Sequence, residues 1–454
     1  MVLFNTIFIH RKIFILKSIH VGSMSADKLK VLIEKNKINW IQLHFTDLIG
    51  RLRSLDMPAN NFLKSVLKDG IGIDGSSVGF AKVEKSDMIV IPDPDTFMVL
   101  PHEKDEARVI GEIYDLSKKE FSAGPRHVLK KAVDYAKNSG FDEVQISPEM
   151  EFYVLQEHGE QEPKIVEQQG YFAPASLDDC KDYRKTLSEF LQNSGYDIKY
   201  HHHEVGLYQH EIEIGALDAL SAADYCVYFK YLARESASLF NLLVTFMPKP
   251  FSNDAGSGMH AHICFFNKGK NMFEDNSDEY RLSQTARYFI GGILEHARGM
   301  AAVANPTLNS YKRLIPNFEA PIYVAWAQHN RSSLVRIPAR KNIDVEIRNP
   351  DPAANPYLLF AAMIHAGIDG IKKKIEYDPI PKNIYKMSEK TKDLGIKKLP
   401  TNLNEALIEL ESDDVIKKAI GKEAVDLFVK YKNKEWQQYI SNTTDLEYRL
   451  YFHC

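Results

Sequence analysis

Polar and apolar residues alternate in four short stretches that are rich in β-branched and aromatic side chains. An alternation with a period of two is typical of a strand that buries one face. The polar residues of such a strand lie two positions apart and project to the same side of the sheet. These polar pairs are Glu149/Glu151, Glu211/Glu213, His260/His262 and Glu346/Arg348. The pattern therefore predicts a sheet with one face that carries carboxylate, imidazole and guanidinium groups.

The chain before this sheet is β-rich, and the chain that contains it mixes strands with helices. Apolar spacing predicts a helix over 25–36 and a strand over 38–45, and further short strands follow as far as residue 115. The pattern becomes mainly helical toward the C-terminus. We predict an α+β protein with a small domain over 24–120 and a larger domain over 121–454.

Start and stop signals mark several helices of the larger domain. Gly124-Pro125 and Gly140 bracket one helix, because Pro favours the first turn and Gly the position after the last. Ser221–Asp224 has the form of a capping box that opens a helix ending near Phe240. Two more helices are predicted over 182–193 and 279–300, and a polar loop over 156–170.

The composition is that of an ordinary globular protein. The chain has 454 residues, of which 44% are hydrophobic and 26% are charged, and its net charge is −4. This length suffices for two or more domains, and the weak net charge gives no indication of a nucleic-acid or membrane partner. The four cysteines are scattered and form no Cys-x-x-Cys pair, which argues against a disulfide framework and fits a reducing cytoplasm.

Residues 1–23 differ from the rest of the chain. They are rich in Ile, Phe and Leu, but His10-Arg11-Lys12 and Lys17 interrupt them, so no apolar run approaches the roughly 20 residues of a membrane span. The segment also lacks the features of a cleaved secretory signal. We interpret it as a dispensable extension, and the alternative is an amphipathic targeting or anchoring segment.

The acidic pairs predict bound metal. Carboxylates that share one face repel each other unless a cation or protons neutralise them. Glu204, which closes the run His201-His202-His203, adds a further carboxylate to the set. Five of these carboxylates and one imidazole would hold about two divalent cations, and oxygen-rich sites of this kind suit Mg²⁺ or Mn²⁺. The alternative is an edge strand with a solvated acidic face.

A second charged group is basic. Arg331, Arg336, Arg340, Lys341 and Arg348 follow Lys312-Arg313 within about forty residues. Arg can bind a carboxylate or phosphate with two hydrogen bonds, so basic and acidic groups on adjacent strands suggest metal-assisted phosphoryl transfer. The chain has no Gly-x-x-x-x-Gly-Lys loop and no kinase signature, and a nucleotide would therefore be held by the metal ions and arginines. The alternative is a solvated basic face.

The ordered motifs of the chain resemble those of type I glutamine synthetases over residues 36–452. They are Asp74-Gly75-Ser76-Ser77, Pro148-Glu149-Met150-Glu151-Phe152, His202-His203-Glu204-Val205, Gln209-His210-Glu211, Gly256-Ser257-Gly258-Met259-His260, Asn309-Ser310-Tyr311-Lys312-Arg313-Leu314, Glu319-Ala320-Pro321, Asn330-Arg331-Ser332 and Asn349-Pro350-Asp351-Pro352-Ala353-Ala354-Asn355-Pro356-Tyr357. The resemblance implies an enzyme that joins ammonia to the γ-carboxylate of L-glutamate at the expense of ATP, through γ-glutamyl phosphate. The adenylylation loop of one subfamily is not evident near 385–400.

The resemblance also implies an architecture. The N-terminal domain is expected to be β-grasp-like, and the catalytic domain to contain a curved antiparallel sheet flanked by helices. The subunits are expected to assemble as a homododecamer of two stacked hexameric rings, with active sites shared between subunits.

Roles for individual residues follow from the same resemblance. The implied metal ligands are Glu151, Glu204 and Glu211 for one Mg²⁺ or Mn²⁺ ion and Glu149, His260 and Glu346 for a second. The implied glutamate-binding residues are Gly256, Arg313, Glu319 and Arg348, and the nucleotide-binding residues are His262, Arg331, Arg336 and Lys341. Asp47, Glu319 and Arg331 are the implied catalytic residues. Asp47 is expected to reach a neighbouring subunit's site and deprotonate ammonium, and Glu319 to belong to a flap that shields the intermediate.

Several positions depart from the family pattern. Ala255 stands where Asn usually precedes the glutamate-side Gly, Lys199 where an acidic residue precedes the histidine run, and Asp344 where an arginine precedes a metal-binding glutamate. These changes leave the implied metal ligands intact and bear on affinity or on the choice of amine. Two alternatives to an ammonia ligase therefore stay open at this point: a ligase for a larger amine, such as a polyamine or ethanolamine, and a weakly catalytic regulatory paralogue.

Overall fold

Two sheets organise the protein. The computed structural model describes residues 24–156, 170–316, 320–387 and 395–454. The predicted extension over 1–23, most of the predicted polar loop and Glu319 lie outside these ranges. The first sheet has five strands and the second has ten. None of the described helices combines the length and apolar character that crossing a membrane requires.

The first sheet has the strand order β2-β1-β5-β4-β3. Its strands are β1 (Trp40–Thr46), β2 (Leu52–Pro58), β3 (Ile71–Asp74), β4 (Asp87–Val99) and β5 (Glu106–Tyr114). The central pair β1 and β5 is parallel, and the other pairs are antiparallel. The helix Ala26–Asn36 precedes the sheet and buries Leu29 and Ile33. The short helical turns Ala59–Asn61, Phe62–Val66 and Leu67–Asp69 connect β2 to β3.

The second sheet is built on the long strand β6 (Glu143–Gln156). Its main path is β13-β14-β15-β11-β6-β8-β7, with β9 and β10 also paired to β6 and β12 to β11. The other strands are β7 (Ile198–His203), β8 (Gln209–Ile214), β9 (Leu217–Asp218), β10 (Leu242–Thr245), β11 (Met259–Asn267), β12 (Lys270–Asn271), β13 (Trp326–Gln328), β14 (Val335–Ile337) and β15 (Val345–Ile347). The predicted α+β fold is confirmed, with one difference: β13 and β14 pair in parallel, so the second sheet is mixed.

Helices flank the second sheet and fill the C-terminal part. They are Pro125–Asn138, Lys181–Asn193, Ala219–Ser238, Gln284–Glu295, Ala297–Ala304, Ser310–Arg313, Pro356–Lys373, Leu403–Ser412, Asp414–Ile420, Lys422–Ser441 and Asp445–Tyr451. Pro356–Lys373 is buried around nearly its whole circumference, as expected for a helix that is apolar on all sides. It packs against Gln284–Glu295 and Pro125–Asn138.

The helix that follows β9 begins earlier than its sequence signal predicted. Asp218 is the N-cap, and its carboxylate accepts hydrogen bonds from the backbone N–H groups of Leu220 (3.2 Å) and Ser221 (3.1 Å). The predicted capping box over 221–224 is therefore wrong, because a carboxylate three residues upstream already satisfies these donors. The helix predicted over 279–300 is likewise interrupted, since two helices meet at His296.

A buried ionic cluster joins the two parts of the chain. Arg126, in the first turn of its helix, binds Asp224 of the helix Ala219–Ser238 (Nε–Oδ1, 3.1 Å) and also pairs with Glu112 of β5. A desolvated guanidinium needs such partners, since an unpaired buried charge is strongly destabilising. The domain boundary that we place near residue 120 stays a prediction.

Candidate active site

The charged face predicted from the alternating strands forms around β6. Strand pairing places His260 of β11 opposite Glu149, and Glu149 opposite Glu213 of β8. The next row of the same face contains Glu151 opposite Glu211. Because neighbouring strands keep opposed residues about 5 Å apart, the register alone brings these groups into contact distance.

Strands β14 and β15 extend the same face. Glu346 lies opposite His262 of β11, and Arg336 lies opposite Glu346. The Glu346 carboxylate is completely buried and forms ion pairs with Arg336 and with Arg348, whose Nε is 3.1 Å from Glu346 Oε1. These arginines offset the cost of desolvating the carboxylate.

The residues predicted to bind a second metal ion lie together. His260 Nδ1 is 3.4 Å from Glu149 Oε2 and 3.8 Å from Glu346 Oε1. Ligand atoms of Glu149, Glu346 and His262 also lie within 4.8 Å of one another. His262, which the sequence assigned to the nucleotide, is therefore close enough to belong to this cluster.

The residues predicted to bind the first metal ion form an adjacent cluster. Ligand atoms of Glu204, Glu211 and His202 lie within 4.8 Å of one another. The third predicted ligand, Glu151, has one carboxylate oxygen 3.9 Å from His260 Nε2. The alternation in β7 could have indicated His202, since it lies opposite Glu211. The sequence instead favoured a structural or exposed role for the three histidines, because three consecutive strand residues cannot all face one site.

The donor set fits divalent cations of the Mg²⁺ or Mn²⁺ type. It consists mainly of buried carboxylates with imidazole nitrogens at the edge, which is the chemistry these ions accept in proteins. A third group, formed by Glu149, Glu211 and Glu213, lies between the two clusters. Glu213 was part of the sequence pattern but was not assigned to the site.

The carboxylates of this face have pKa values that are shifted in opposite directions. Burial, together with the like charges of neighbouring glutamates such as Glu149 and Glu151, raises the pKa of Glu211 well above its usual range. Burial also opposes ionisation of Glu149, but the imidazoles of His262 and His260 outweigh it and hold the Glu149 pKa well below the usual value. Burial opposes charge on His262 as well, yet Glu149 and Asp344 raise its pKa to about 10. Glu149 is thus ionised and paired with the imidazolium of His262.

A partly open pocket lies beside these clusters. Its lining brings together three of the six predicted metal ligands with three of the four predicted glutamate-binding residues, namely Glu151, Glu204, His260, Gly256, Arg313 and Arg348. Arg313 is 2% exposed, and its guanidinium donates to the carbonyl of Asn349 at 2.7 Å. A Cβ at Gly256 would lie 2.7 Å from Arg313 Cγ, so only glycine lets the arginine occupy this position.

The predicted nucleotide-binding residues are not all brought together. Arg336 faces the clusters through its ion pair with Glu346. Arg331 has its backbone carbonyl bound by the Arg348 guanidinium, which places it beside the pocket, but its side chain is exposed. Lys341 is also exposed, and its carbonyl accepts a hydrogen bond from Arg281 at 2.9 Å.

Arg340, which precedes Lys341, reaches the charged face instead. Its Nη2 donates to Glu149 Oε1 at 2.9 Å and lies 3.6 Å from Glu213 Oε2. Periodicity could not choose between two neighbouring basic residues, because residues 338–344 form no helix or strand.

Asp47 does not line this pocket. It lies in the turn between β1 and β2 and is 1% exposed. Its carboxylate accepts hydrogen bonds from the backbone N–H of Arg51 (2.9 Å) and from Arg53 Nη2 (2.8 Å). The predicted action of Asp47 in a neighbouring subunit's site stays a prediction, and so does the role of Glu319, which is outside the described residues.

The three departures from the family pattern have definite positions. Lys199 Nζ lies 3.7 Å from Glu213 Oε2, and Asp344 Oδ1 lies 2.9 Å from His262 Nδ1. Lys199 and Asp344 therefore both belong to the side predicted to bind the nucleotide. Ala255 lies at the pocket, where its carbonyl accepts a hydrogen bond from the Tyr153 hydroxyl at 2.7 Å.

Comparison with known proteins gives matches over nearly the whole chain. Residues 37–116 match the family description "Glutamine synthetase, beta-Grasp domain", and residues 122–451 match "Glutamine synthetase, catalytic domain". The chain is 45% identical to the glutamine synthetase of Pyrococcus furiosus over 410 residues, which cover 89% of this chain and 92% of that protein. It is 42% identical to the glutamine synthetase of Thermotoga maritima over 440 residues, which cover 95% of this chain and 100% of that protein.

Solved structures give the same result for the fold. A structure titled "GmaS/ADP complex-Conformation 1" superposes with a TM-score of 0.87 at 30% identity and covers 94% of this chain and 99% of that chain. A cryoEM structure of Plasmodium falciparum glutamine synthetase superposes with a TM-score of 0.84 at 26% identity and covers 95% and 99% of the two chains.

The two sheets and these matches define the class of the protein as an enzyme with a β-grasp domain and a glutamine synthetase catalytic domain. The chain belongs to the glutamine synthetase family. The resemblance predicted from the motifs is confirmed, and so is the prediction of a glutamate–ammonia ligase, which the names of these relatives favour over both alternatives.

Proposed function

We propose that the chain catalyses the ATP-dependent ligation of ammonia to the γ-carboxylate of L-glutamate, through γ-glutamyl phosphate, to give L-glutamine. One observation carries this proposal: three of the proposed metal ligands, Glu151, Glu204 and His260, line the same pocket as Arg313 and Arg348. A metal-binding face beside an arginine pocket supplies what phosphoryl transfer to a carboxylate requires.

Two divalent ions, Mg²⁺ or Mn²⁺, are proposed at this face. Glu151, Glu204 and Glu211 would hold one ion, and Glu149, His260 and Glu346 the other. Bound there, the ions would neutralise phosphate charge during transfer. The low pKa of Glu149 keeps that carboxylate ionised in advance, because the imidazoles of His262 and His260 favour its charged form.

Glutamate is proposed to bind in the pocket that Arg313 and Arg348 line. Arg313 and Arg348 would pair with its carboxylates, and the backbone at Gly256 would contact its remaining polar groups. Arg331 and Arg336 are proposed to stabilise the charge on the phosphoryl group, and His262 and Lys341 to bind the nucleotide.

Ammonium must lose a proton to give ammonia, which is the nucleophile that attacks the acyl phosphate. Asp47 and Glu319 are proposed to bind the cation, Asp47 to accept the proton, and Glu319 to shield the acyl phosphate from water as part of a flap. Asp47 is held by Arg53 in its own turn, away from the pocket lining of its own chain. We therefore propose that it completes the site of a neighbouring subunit.

This arrangement requires an oligomer, and we propose a homododecamer of two stacked hexameric rings. The C-terminal helix Asp445–Tyr451 and the residue after it support an assembled state. Leu446, Tyr448, Leu450, Tyr451 and Phe452 are each at least 56% exposed, and an apolar surface of this kind is typical of subunit interfaces. The cysteines bear on where the enzyme works. All four are free, which fits a reducing compartment, and we therefore place the enzyme in the cytoplasm.

Phosphate release by the purified protein tests the proposal. The protein is supplied with ATP, Mg²⁺ and glutamate, with and without ammonium, and with a panel of larger amines. We expect ammonium-dependent release that falls by about a hundredfold in Glu149→Gln. Glu143→Gln, at the exposed end of the same strand, is the matched control and should behave as the unmodified enzyme. Turnover with a larger amine only, or with none, would overturn the proposed substrate or the proposed activity, respectively.

A further inference from the structure

Arg340 has several charged neighbours on the side predicted to bind the nucleotide. Its Nη2 donates to Glu149 Oε1 at 2.9 Å. The same guanidinium lies 3.6 Å from Glu213 Oε2, 3.9 Å from Asp344 Oδ2 and 3.3 Å from His262 Nδ1. Arg340 thus connects a predicted metal ligand with the positions that depart from the family pattern.

The contacts of Arg340 differ in strength. The hydrogen bond to Glu149 is direct, whereas Glu213 and Asp344 lie beyond hydrogen-bond distance and act through their charge alone. A guanidinium has five N–H donors, so most of them stay available. The side chain is 29% exposed, which leaves it accessible to a ligand.

Glu149 cannot serve Arg340 and a divalent cation equally. A doubly charged ion in direct contact with the carboxylate outcompetes a guanidinium for the same oxygen. Once displaced from Glu149, Arg340 would remain near its position, because the two negative charges of Glu213 and Asp344 outweigh the single positive charge of the His262 imidazolium. The N–H groups of Arg340 that no longer bind Glu149 could then donate to phosphates held by the metal ions.

Glu213 is itself fixed. It accepts a hydrogen bond from the Tyr200 hydroxyl and lies 3.7 Å from Lys199 Nζ. The residue is buried, which strengthens its attraction for Arg340. Lys199, which stands where the family pattern has an acidic residue, therefore has Glu213 as its partner here.

We propose that Arg340 binds the nucleotide phosphates in this chain, and that it exchanges Glu149 for them when a divalent cation occupies that carboxylate. Glu213 is the positioning residue that holds Arg340 during the exchange. The inference rests on the proposed ATP-dependent function, and it adds Arg340 to the proposed nucleotide-binding residues as a stronger contributor than Lys341.

Opposite changes in metal and nucleotide binding test the exchange. Arg340→Ala should weaken binding of ADP in the presence of Mn²⁺ by about tenfold, the loss of a charge-assisted hydrogen bond. The same variant should bind Mn²⁺ alone about threefold more tightly, because a cation that competes for Glu149 is gone. ADP binding is measured by titration calorimetry, and free Mn²⁺ by its electron paramagnetic resonance signal.

Lys270→Ala, which removes an exposed cation on β12, is the matched control and should change both constants by less than about twofold. A merely structural role of Arg340 would weaken both ligands or neither, so weaker Mn²⁺ binding or unchanged ADP binding in Arg340→Ala would overturn the exchange. A larger loss of ADP affinity in Lys341→Ala than in Arg340→Ala would overturn the assignment. Thermal unfolding of each variant checks that the chain is folded.

A double-mutant cycle tests the role of Glu213. Glu213→Gln should weaken ADP binding by about threefold, and should add nothing in an Arg340→Ala background, because it acts through the arginine. Additive losses would show that Glu213 acts on the ligand independently. The proposed function can fail separately: an enzyme that binds ADP but shows no ammonium-dependent turnover would lose its proposed reaction and keep this assignment.

Discussion

Asn355 donates from its side-chain amide to the backbone carbonyl of Asp47, across 308 positions of the sequence and at a distance of 3.2 Å. The same amide donates to the carbonyl of Leu48 at 3.1 Å. Its side-chain oxygen accepts from the backbone N–H of Tyr357, and so caps the central helix Pro356–Lys373. One buried side chain thus fixes the turn that carries Asp47 onto the core of the larger domain.

This contact predicts that Asn355 controls the use of ammonium. Asn355→Ser keeps a side-chain oxygen for the helix cap but removes the amide donor, so it should raise the KM for ammonium with little loss of Tm. Asn355→Ala loses the cap as well and should also reduce the free energy of unfolding by about 1–2 kcal/mol. Steady-state kinetics and thermal unfolding measure the two effects. An unchanged KM for ammonium in both variants would contradict a link between this contact and Asp47.

A shared active site predicts complementation between two inactive variants. Asp47→Asn removes the proposed proton acceptor of one subunit, and Glu149→Gln removes a proposed metal ligand. If each site combines Glu149 of one chain with Asp47 of the next, random co-assembly should make about one quarter of the sites intact. Co-expressed, separately tagged variants should therefore recover about a quarter of the activity. No recovery in isolated mixed oligomers would indicate that Asp47 acts within its own chain or not at all.

The strands of the charged face could be predicted because their pattern is local. Alternation placed Glu149, Glu151 and His260 on one face, and the register of the sheet brought them together as expected. Contacts between distant segments could not be predicted in this way. Nothing near Asn355 in the sequence indicates that it binds the Asp47 turn, because that contact depends on how the first sheet meets the central helix.

The direction of side chains in irregular loops could not be predicted from the sequence either, because such loops have no periodic pattern. Arg340 and Lys341 are adjacent and both basic, and the difference between them arises from the path of the loop 338–344. The resemblance to known enzymes identified conserved roles but gave none to Glu213, whose position on β8 was nonetheless evident from the alternation. Pattern and resemblance therefore each indicated site residues that the other left unassigned.

The contact between the helices Gln284–Glu295 and Pro356–Lys373 predicts a strong steric effect. A Cβ at Gly292 would lie 2.1 Å from the carbonyl oxygen of Ala366, so the two backbones can meet only where no side chain intervenes. Gly292→Ala should therefore lower the free energy of unfolding by about 1–3 kcal/mol, the usual cost of overpacking. Gly72→Ala is the matched control, since the nearest atom to its added Cβ is 4.0 Å away. Equal unfolding temperatures for both variants would show that the helices can separate without cost.

His296 predicts a stability term that depends on pH. Its Nδ1 is 2.8 Å from Asp413 Oδ2, and its Nε2 is 3.0 Å from Asp369 Oδ2, so it connects three helical segments. Burial opposes the imidazolium, but the two carboxylates outweigh burial and raise the pKa of His296 above its usual value. A group with a raised pKa in the folded state stabilises that state fully below its unfolded pKa of about 6.5, and the contribution is lost as the pH rises through the folded value.

We therefore expect the difference in Tm between the unmodified enzyme and His296→Gln to be largest near pH 6 and to shrink as the pH rises above about 6.5 and through the folded-state pKa. Glutamine is the appropriate replacement, because it can still form hydrogen bonds to the carboxylates but cannot carry the charge. Asp369 contributes to stability in a different pH range. Burial opposes its ionisation, but Lys373 and His296 outweigh burial and lower its pKa. Its contribution is therefore lost only in acid. If the Tm difference for His296→Gln does not change as the pH rises above about 6.5, then His296 holds the helices by hydrogen bonding alone, without its charge.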